Sequence, residues 1–283
     1  MDSGRSGTLY IVATPIGNLE DITFRAVRIL KEVDLIAAED TRHSRKLLSH
    51  FGIPTRLTPY HDHNERLKTD YLLERLKEGE SVAIITDAGT PCIADPGYRI
   101  ARAAAAEGIR VVPIPGPSAI ITALSAAGLP TDRFAFEGFL PPKQGKRRSR
   151  LEELRNDDRV VIFYEAPHRL AATLADMAEL LGEREAVVAR ELTKIHEEFS
   201  HGCLEDLAVH YRSEGVKGEV VILVAPAAEP DTGSGVDPEE LLRRHIHGEG
   251  LSIRDAVAAT VAATGISRSE VYALALKIRV VTE

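Results

Sequence analysis

The stretch SVAIITDAGTPCIADPG, residues 81–97, carries the strongest fold signal in the chain. Its first part, 81–87, is a nearly continuous apolar run, which is typical of a strand that helices cover on both faces. Its second part is rich in glycine, proline and aspartate, which favour a tight loop. Glycine lets the backbone approach a ligand closely, and proline fixes the loop shape. The stretch therefore predicts a buried strand whose carboxyl end carries a preorganised loop.

The same pattern continues on both sides of this stretch, up to about residue 225. Short runs rich in valine, isoleucine and leucine alternate with longer amphipathic stretches rich in alanine, leucine, glutamate and arginine. The predicted strands are 8–14, 35–39, 81–87, 110–113, 134–140, 159–165, 186–191 and 219–225. Alternation of this kind is typical of βα units, so the sequence predicts an α/β fold.

Two further loops resemble the one at 87–97: PIGN at 15–18 and PGPSA at 115–119. Each follows a predicted strand, and ligands of open α/β sheets bind outside the carboxyl ends of the strands. One such loop alone is equally consistent with a rigid βα connection. Three of them favour a common crevice for a small molecule, into which the strand ending at Asp87 would deliver that carboxylate.

A change of composition follows the α/β region. Residues 227–236 are rich in proline, glycine, serine and aspartate, which is typical of a linker between domains. Beyond them, residues 237–283 contain two helical patterns on either side of Gly265, an arrangement that resembles a helix-turn-helix. Acidic and basic side chains nearly balance in this unit, so DNA reading is not expected of it.

The overall composition excludes some classes of protein. The 283 residues carry a net charge of −8, which argues against coating nucleic acid by bulk charge but allows a local basic patch. The sequence shows no apolar run long enough for a bilayer and no secretory signal, so we expect a soluble, cytoplasmic protein. Cys92 and Cys203 match neither a zinc spacing nor a disulfide framework.

Several familiar motifs are absent from the sequence. G-x-G-x-x-G, the Walker phosphate loop, G-x-S-x-G and H-E-x-x-H do not occur, which disfavours dehydrogenases, P-loop enzymes and common hydrolases. His61, Asp62 and His63 are residue types that bind zinc, but no further ligand stands at a useful spacing. No metal site is expected.

Two basic segments are candidates for contact with RNA. The first places five cations within eight residues, with no acid among them, on an expected loop that ends where a helix begins near Ser149. Its members are Lys143, Lys146, Arg147, Arg148 and Arg150. The second, TRHSRK at 41–46, contributes Arg42, Arg45 and Lys46. The first is consistent with a phosphate clamp or with a solvated loop, and the second with a phosphate clamp or with the N-terminal turn of a helix that carries exposed cations.

Polar residues at strand ends supply candidates for catalysis. FYEAPHR at 163–169 places Glu165 and His168 at a strand-to-helix junction, where they suit proton transfer or helix capping. The segments ELTKIHEE at 191–198 and KGEVVI at 217–222 leave the same two alternatives open. The residues concerned are Glu191, Thr193, Lys194, Lys217 and Glu219.

Taken in order, the motifs resemble one family. ATPIGNLEDIT, AAEDTRHSRKLL, DAGTPCIADPG, PGPSA, FEGFLPPK, FYEAPHR, ELTKIHEE and KGEVVI are similar to the small-subunit ribosomal RNA methyltransferase I family. This is the 16S cytidine 2′-O-methyltransferase branch of the tetrapyrrole methylases. The resemblance covers residues 8–225 almost continuously, and the C-terminal unit looks like the tail that many members carry. FYEAPHR and TRHSR point to the ribosomal branch.

The resemblance implies two α/β domains, 7–116 and 117–226, with S-adenosylmethionine in the cleft between them and a homodimer as the working form. The 16S RNA of the small subunit is the implied substrate. The cofactor residues implied by matching motifs are Pro15, Gly17, Asp87, Gly89, Thr90, Ser118, Ala119, Tyr164, Glu165, Ala166 and Thr193. The candidates for handling the ribose hydroxyl are Glu165, His168, Glu191 and Lys194. The Lys-Asp-Lys-Glu tetrad of Rossmann-type ribose methyltransferases is not identified.

Two alternatives remain open at this point. The first is a methylase of a corrin or porphyrin precursor, which would share the fold and the cofactor but has little use for a polybasic segment. The second is a nucleic-acid-binding regulator whose α/β region senses a ligand. The near-neutral charge of the C-terminal unit disfavours the second.

Overall fold

A computed structural model of the chain describes residues 7–213, 216–227, 237–264 and 268–280. The chain divides into two compact units, Met1–Pro226 and Ala227–Glu283. The first contains two five-stranded sheets with helices packed on them, and the fold is α/β. Most of the linker predicted at 227–236 and the predicted turn at Gly265 lie outside the described residues.

The first sheet is entirely parallel, in the strand order β3-β2-β4-β1-β5. Its strands are β1 Thr8–Val12, β2 Leu35–Ala38, β3 Leu57–Pro59, β4 Val82–Ile85 and β5 Arg110–Ile114. Its helices are α1 Phe24–Glu32, α2 Thr41–His50, α3 Glu65–Lys77 and α4 Tyr98–Ala106. Every residue of β2 and β4 is buried, as the continuous apolar runs predicted.

Helices cover both faces of this sheet. On one face, Ile29 of α1 and Leu48 of α2 pack in a core with Ile36 of β2. On the opposite face, Leu72 of α3 and Ile100 of α4 pack in a second core. All four helices begin near the carboxyl edge of the sheet, so that edge carries the helix N-termini and the loops that precede them.

The second sheet is mixed, in the order β6-β7-β10-β8-β9. β6 and β7 are parallel, whereas β10 is antiparallel to β7 and β8, and β8 is antiparallel to β9. The strands are β6 Phe134–Phe139, β7 Val160–Glu165, β8 Glu185–Arg190, β9 Glu198–Cys203 and β10 Val220–Val224. The accompanying helices are α5 Ala119–Ala126, α6 Gln144–Glu153, α7 Leu170–Leu181 and α8 Leu204–Ser213.

The basic segment 143–150 does not form the predicted loop. α6 begins at Gln144, well before the predicted start near Ser149, with Lys143 as its N-cap residue. Only residues 140–142 lie between the end of β6 and this cap. Tertiary packing explains the difference, because Leu151 is fully buried and Arg147 forms an ion pair with Asp176 of α7.

The C-terminal unit is helical in its described parts. α9 Pro238–Arg243 continues into a π-helical turn, Arg244–Gly248, and is followed by α10 Ile253–Thr264 and α11 Arg268–Val280. A small core joins the three helices. It includes Leu242, Val257, Val271, Ala275 and Ile278.

None of the helices in the described ranges has the length and apolar character needed to span a bilayer. Cys92 and Cys203 are both free thiols.

Candidate functional site

Loops from both sheets converge on a cavity of about 340 Å³ at the carboxyl edge of the first sheet. The half of the larger unit that contains the first sheet contributes Ile16 and the loop after β4. The half that contains the second sheet contributes Phe139, the end of β7 and the start of β10. The full wall consists of Ile16, Ala88, Gly89, Thr90, Ile93, Ala94, Asp95, Ser118, Ala119, Phe139, Tyr164, Glu165, Ala166, Pro167, Gly218, Glu219, Val220 and Val221.

Hydrogen bonds tie together the three loops that were expected to meet. Thr14, which leads into the first loop, exchanges backbone hydrogen bonds with Gly89 at 2.9 and 3.0 Å. The Oγ1 atom of Thr14 also donates to the carbonyl oxygen of Thr86. Thr90 Oγ1 donates to the Pro117 carbonyl oxygen at 3.2 Å, which fastens the third loop to the second. The wall of the cavity is therefore built before any ligand arrives.

Backbone strain is concentrated beside the cavity. Among the described residues, the non-glycine positions with positive φ are Cys92, Ala94, Glu191 and Thr193. The first two lie in the loop after β4 and the other two in the loop after β8. Gly97, at φ +133°, ends the first of these loops, and a Cβ there would lie 2.6 Å from Cys92 Sγ. Strained backbone of this kind clusters at functional sites, where the surrounding structure holds it in place.

Asp95 is the carboxylate of the cavity wall that the sequence analysis missed. Burial raises its pKa to about 6, and the negative charges of Glu39, Asp87 and Asp62 contribute, while a hydrogen bond from Thr86 opposes the shift. Asp95 stands in the second half of the 87–97 loop, eight positions after the strand end that drew attention to Asp87. The sequence signal that could have identified it is an aspartate directly before Pro96 and Gly97, within the loop already expected to bind a ligand.

Asp87 has a supporting position, outside the residues that line the cavity. Its Oδ1 accepts a hydrogen bond from the Asp40 backbone N–H at 3.1 Å, which links β4 to the start of α2. Burial raises the pKa of Asp87, and nearby Glu39 raises it further.

Pro15, Gly17 and Thr193 also lie outside the cavity wall. Gly17 is in close contact with the second half of the unit, since a Cβ there would lie 2.5 Å from Lys194 Cγ and 2.9 Å from the Leu192 carbonyl oxygen. The Oγ1 atom of Thr193 is buried and has no hydrogen-bond partner among the residues that the structure describes. Gly17 therefore allows the two halves to approach closely. The other predicted cofactor residues, Gly89, Thr90, Ser118, Ala119, Tyr164, Glu165 and Ala166, line the cavity.

Glu165 has the geometry of a structural carboxylate. It is 3% exposed, its Oε1 accepts from the Ala166 backbone N–H at 2.8 Å, and its Oε2 accepts from Thr173 Oγ1 at 2.6 Å. The Arg169 guanidinium lies 3.2 Å away. These contacts fix the turn that carries Tyr164 and Ala166, and neither of the two helical segments that follow takes a side-chain cap from Glu165. His168 is exposed and does not line the cavity.

Lys194 links the loop after β8 to the edge of the cavity. Its Nζ donates to Glu191 at 2.8 Å and to Glu219, a wall residue, at 3.1 Å. Burial alone would lower the pKa of Lys194, but the hydrogen bonds to Glu191 and Glu219 raise it. The hydrogen bond from Lys194 lowers the pKa of Glu191. Lys194 therefore remains a cation, and Glu191 is a weak base.

Three of the five cations at 143–150 are engaged in ion pairs. Arg147 is 5% exposed and pairs with Asp176 at 2.6 Å, so it is not accessible to a nucleic acid. Arg148 pairs with Asp176 and Glu179, and Arg150 pairs with Glu137 and Glu153. Only Lys143 and Lys146 are exposed and make no ion pair within the described parts of the chain.

The second basic segment forms the start of α2. Asp40 caps this helix by accepting from the Arg42 backbone N–H at 2.7 Å and also pairs with the Arg42 side chain. The hydrogen bonds from Arg42 lower the pKa of Asp40 to about 2. Arg45 and Lys46 are exposed and have no ion-pair partner among the described residues.

The cavity suits a cationic, nucleoside-containing cofactor better than a metal ion. Within the described ranges, no group of three or more His, Cys, Asp or Glu side chains could hold a metal. Small wall residues such as Gly89 and Ala119 permit close approach, and Tyr164 and Phe139 supply aromatic surface. Asp95 supplies a negative charge. The volume is within the range of ligand pockets, about 300–1,000 Å³.

Comparison with known proteins places the chain among methylases. A family model for Tetrapyrrole (Corrin/Porphyrin) Methylases matches residues 8–208. A protein of Pseudomonas aeruginosa named ribosomal RNA small subunit methyltransferase I is 50% identical, over 96% of this chain and 98% of its own length. Proteins with the same name from Halalkalibacterium halodurans and Escherichia coli O157:H7 are 47% and 48% identical. The match to the Halalkalibacterium halodurans protein covers 94% of this chain and 93% of that protein. The match to the Escherichia coli O157:H7 protein covers 96% of this chain and 95% of that protein.

Solved structures show the same fold at low sequence identity. The methyltransferase CobJ superposes with a TM-score of 0.60 at 22% identity, over 79% of this chain and 95% of that one. The cobalt precorrin-4 methyltransferase of cobalamin biosynthesis gives a TM-score of 0.58 at 18% identity, over 79% and 96% of the two chains.

Proposed function

Since the chain belongs to the ribosomal RNA small subunit methyltransferase I family of the tetrapyrrole methylases, we propose that it methylates the ribose 2′-hydroxyl of a cytidine in 16S ribosomal RNA. It is an S-adenosylmethionine-dependent methyltransferase. The structural observation that carries the proposal is the cleft between the two sheets, whose wall contains small residues, aromatic rings and the carboxylate of Asp95.

Bound S-adenosylmethionine supplies a methyl group that its sulfonium makes electrophilic. The protein therefore has to hold the cofactor and align a ribose oxygen with the methyl carbon. Correct alignment alone is worth about 7–11 kcal/mol in well-oriented intramolecular reactions. The loops of the wall suit this task, because hydrogen bonds between them already hold them together. Little conformational entropy of the loops is therefore lost when the ligands bind.

The wall residues have distinct roles in this proposal. The cofactor is enclosed by Gly89, Thr90, Ser118, Ala119, Tyr164 and Ala166. Asp95 stabilises the positive charge of the cofactor. Glu165 holds the Tyr164–Ala166 turn in place through its bonds to Ala166 and Thr173. The residues that lie outside the wall and have a supporting role are Pro15, Gly17, Asp87 and Thr193.

Proton handling at the ribose hydroxyl needs a separate group. Of the four candidates from the sequence, Lys194 is held as a cation next to the wall residue Glu219, where it can stabilise a developing alkoxide while the hydroxyl proton passes to solvent water. Glu191 orients Lys194, Glu165 is engaged by its own hydrogen bonds, and His168 is exposed outside the cavity wall.

In this proposal, exposed cations bind the RNA. Lys143, Lys146, Arg45 and Lys46 remain available for phosphate contacts, whereas Arg147 is structural. The proposal also includes a homodimer and a cytoplasmic location, where ribosomal subunits are assembled. Membranes and DNA have no part in it.

Replacing Lys143 and Lys146 together by alanine is expected to weaken binding to the small subunit and to lower the slope of log affinity against log salt by about one to two. Cofactor affinity should not change, because neither lysine lines the cavity. Binding is measured by filter retention at several salt concentrations. Lys77→Ala, which removes an exposed lysine paired with Glu107, is the matched control. An unchanged salt slope in the double variant would remove these lysines from the interface.

A methylase of corrin or porphyrin precursors shares this fold, so the substrate class has to be tested directly. Purified protein is incubated with labelled S-adenosylmethionine and either unmethylated small subunits or a mixture of uroporphyrinogen and precorrin substrates. Label in RNA and none in tetrapyrrole is the expected result. Label in tetrapyrrole alone would replace the proposed function with that of a small-molecule methylase.

A further inference from the structure

A second groove opens beside the cofactor cleft. It has a volume of about 660 Å³ and lies between α3 and α4, on one face of the first sheet. Asp95 stands in the wall of both the groove and the cleft, so the two spaces adjoin at that residue. A molecule whose reacting part occupies the cleft can therefore extend into this groove.

The groove combines an exposed aromatic ring with arginines. Tyr98, the first residue of α4, lines it and is 62% exposed. Arg66 and Arg102 line it from α3 and α4, are exposed, and make no ion pair in the part of the chain that the structure describes. A third arginine, Arg99, is paired with Glu65 at 2.9 Å.

Acidic residues in the same groove restrict what can bind there. Four carboxylates, those of Asp62, Glu65, Asp70 and Asp95, line it together with the three arginines, so its charge does not favour a long path of phosphates. One unstacked base on an aromatic ring, with one phosphate held by an arginine, fits this arrangement better. Proteins recognise single-stranded RNA with this combination of stacking and charge.

We propose that this groove holds the nucleotide next to the methylated cytidine, with its base stacked on Tyr98 and its phosphate bound by Arg102 or Arg66. The inference rests on the proposed function, because the RNA is the substrate proposed there. It assigns the flanking nucleotide to the α3–α4 face of the first sheet. Tyr98 follows Gly97, whose φ of +133° sets the start of α4, so the position of the ring is tied to the loop that carries Asp95.

The test compares Tyr98→Ala, Arg102→Ala and Tyr98→Phe in steady-state methylation of unmethylated small subunits. Loss of one stacked base corresponds to roughly tenfold in affinity. Tyr98→Ala is therefore expected to raise KM for the subunit about tenfold and to leave both kcat and the Kd for S-adenosylmethionine unchanged. Tyr98→Phe keeps the ring and should behave as wild type. Val209→Ala, at a 61% exposed position of α8, controls for loss of exposed apolar surface.

The outcomes separate this inference from the proposed function. A normal KM in Tyr98→Ala, with an active wild-type enzyme, would overturn the inference and leave the proposed function intact. A raised KM in Tyr98→Phe as well would also overturn it, because the ring would not be the contact. Absence of methyl transfer to RNA by the wild type would overturn both.

Discussion

Replacing Asp95 by asparagine is expected to weaken S-adenosylmethionine binding by roughly tenfold to a hundredfold. Hydrogen bonds to charged groups are worth about 1.5–3 kcal/mol, and Asp95 is a partly buried carboxylate in the wall of the cleft. Asparagine keeps the size of the side chain and removes its charge, so the loop should keep its shape. Isothermal titration calorimetry measures the change in Kd.

The same carboxylate should make cofactor binding depend on pH. The pKa of Asp95 is raised to about 6 by burial and by the charges of Glu39, Asp87 and Asp62. Tyr164 faces Asp95 from the second sheet, and its own pKa is raised to about 12 by burial and by the charges of Asp95 and Glu219. The charged form of Asp95 binds the cationic cofactor. Affinity should therefore be full above pH 7 and fall as the pH drops through 6, towards that of Asp95→Asn.

A control variant separates the wall carboxylate from the acidic residues around it. Asp62 contributes to the raised pKa of Asp95 but does not line the cleft, so Asp62→Asn should leave the Kd at pH 7.5 unchanged within about twofold. Equal Kd values for Asp95→Asn and wild type at that pH would show that Asp95 does not contact the cofactor.

Replacing Asp176 by alanine is expected to destabilise the larger unit by about 3–5 kcal/mol. Arg147 and Asp176 are both almost fully buried, and removal of one partner of a buried ion pair leaves an uncompensated charge. Burial alone would raise the pKa of Asp176, but hydrogen bonds from Arg147, Gln144 and Arg148 hold it below its usual value. Guanidinium unfolding followed by circular dichroism measures the loss.

Glu179 provides the matched control for this prediction. Glu179 lies on α7 and also forms an ion pair with Arg148 of α6, but the Glu179 side chain is 65% exposed. Exposed ion pairs contribute about 0–1 kcal/mol, so Glu179→Ala should shift the unfolding midpoint only slightly. Similar losses for the two variants would contradict a special role for the buried pair.

The strands inside the two sheets could be predicted from the sequence, but two of the four edge strands could not. β4 and β10 are apolar along their whole length because each lies inside a sheet, and this produces a continuous apolar run. β3 and β9 were missed, and each lies at the edge of its sheet. β3 is three residues long and ends in a proline, and β9 contains serine, histidine and glycine, so neither has the composition of a buried strand.

Pairing direction and side-chain partners depend on tertiary structure and were not accessible from local sequence. The run at 219–225 looks like any buried strand, although β10 is antiparallel to both its neighbours. The basic run at 143–150 contains no acid of its own, but α7 and β6 supply Asp176, Glu179 and Glu137 from distant positions. An apparent cationic loop is therefore largely a structural helix.

The site was predicted at the level of loops and less well at the level of single residues. The three glycine- and proline-rich loops meet because all three follow parallel strands of one sheet. Within these loops, Asp87 was a candidate because it ends a predicted strand. Its carboxylate instead accepts a hydrogen bond from the Asp40 backbone N–H at the start of α2. Asp95, which directly follows the positive φ of Ala94, lines the cleft.

Identification of the labelled nucleoside tests whether this cleft directs a methyl group to a ribose oxygen of 16S RNA. Unmethylated small subunits are incubated with the protein and labelled S-adenosylmethionine, and the RNA is digested to nucleosides for chromatography and mass spectrometry. The expected product is 2′-O-methylcytidine as the one labelled species. A base-methylated nucleoside, or RNA without label while the protein still binds the cofactor, would contradict the account.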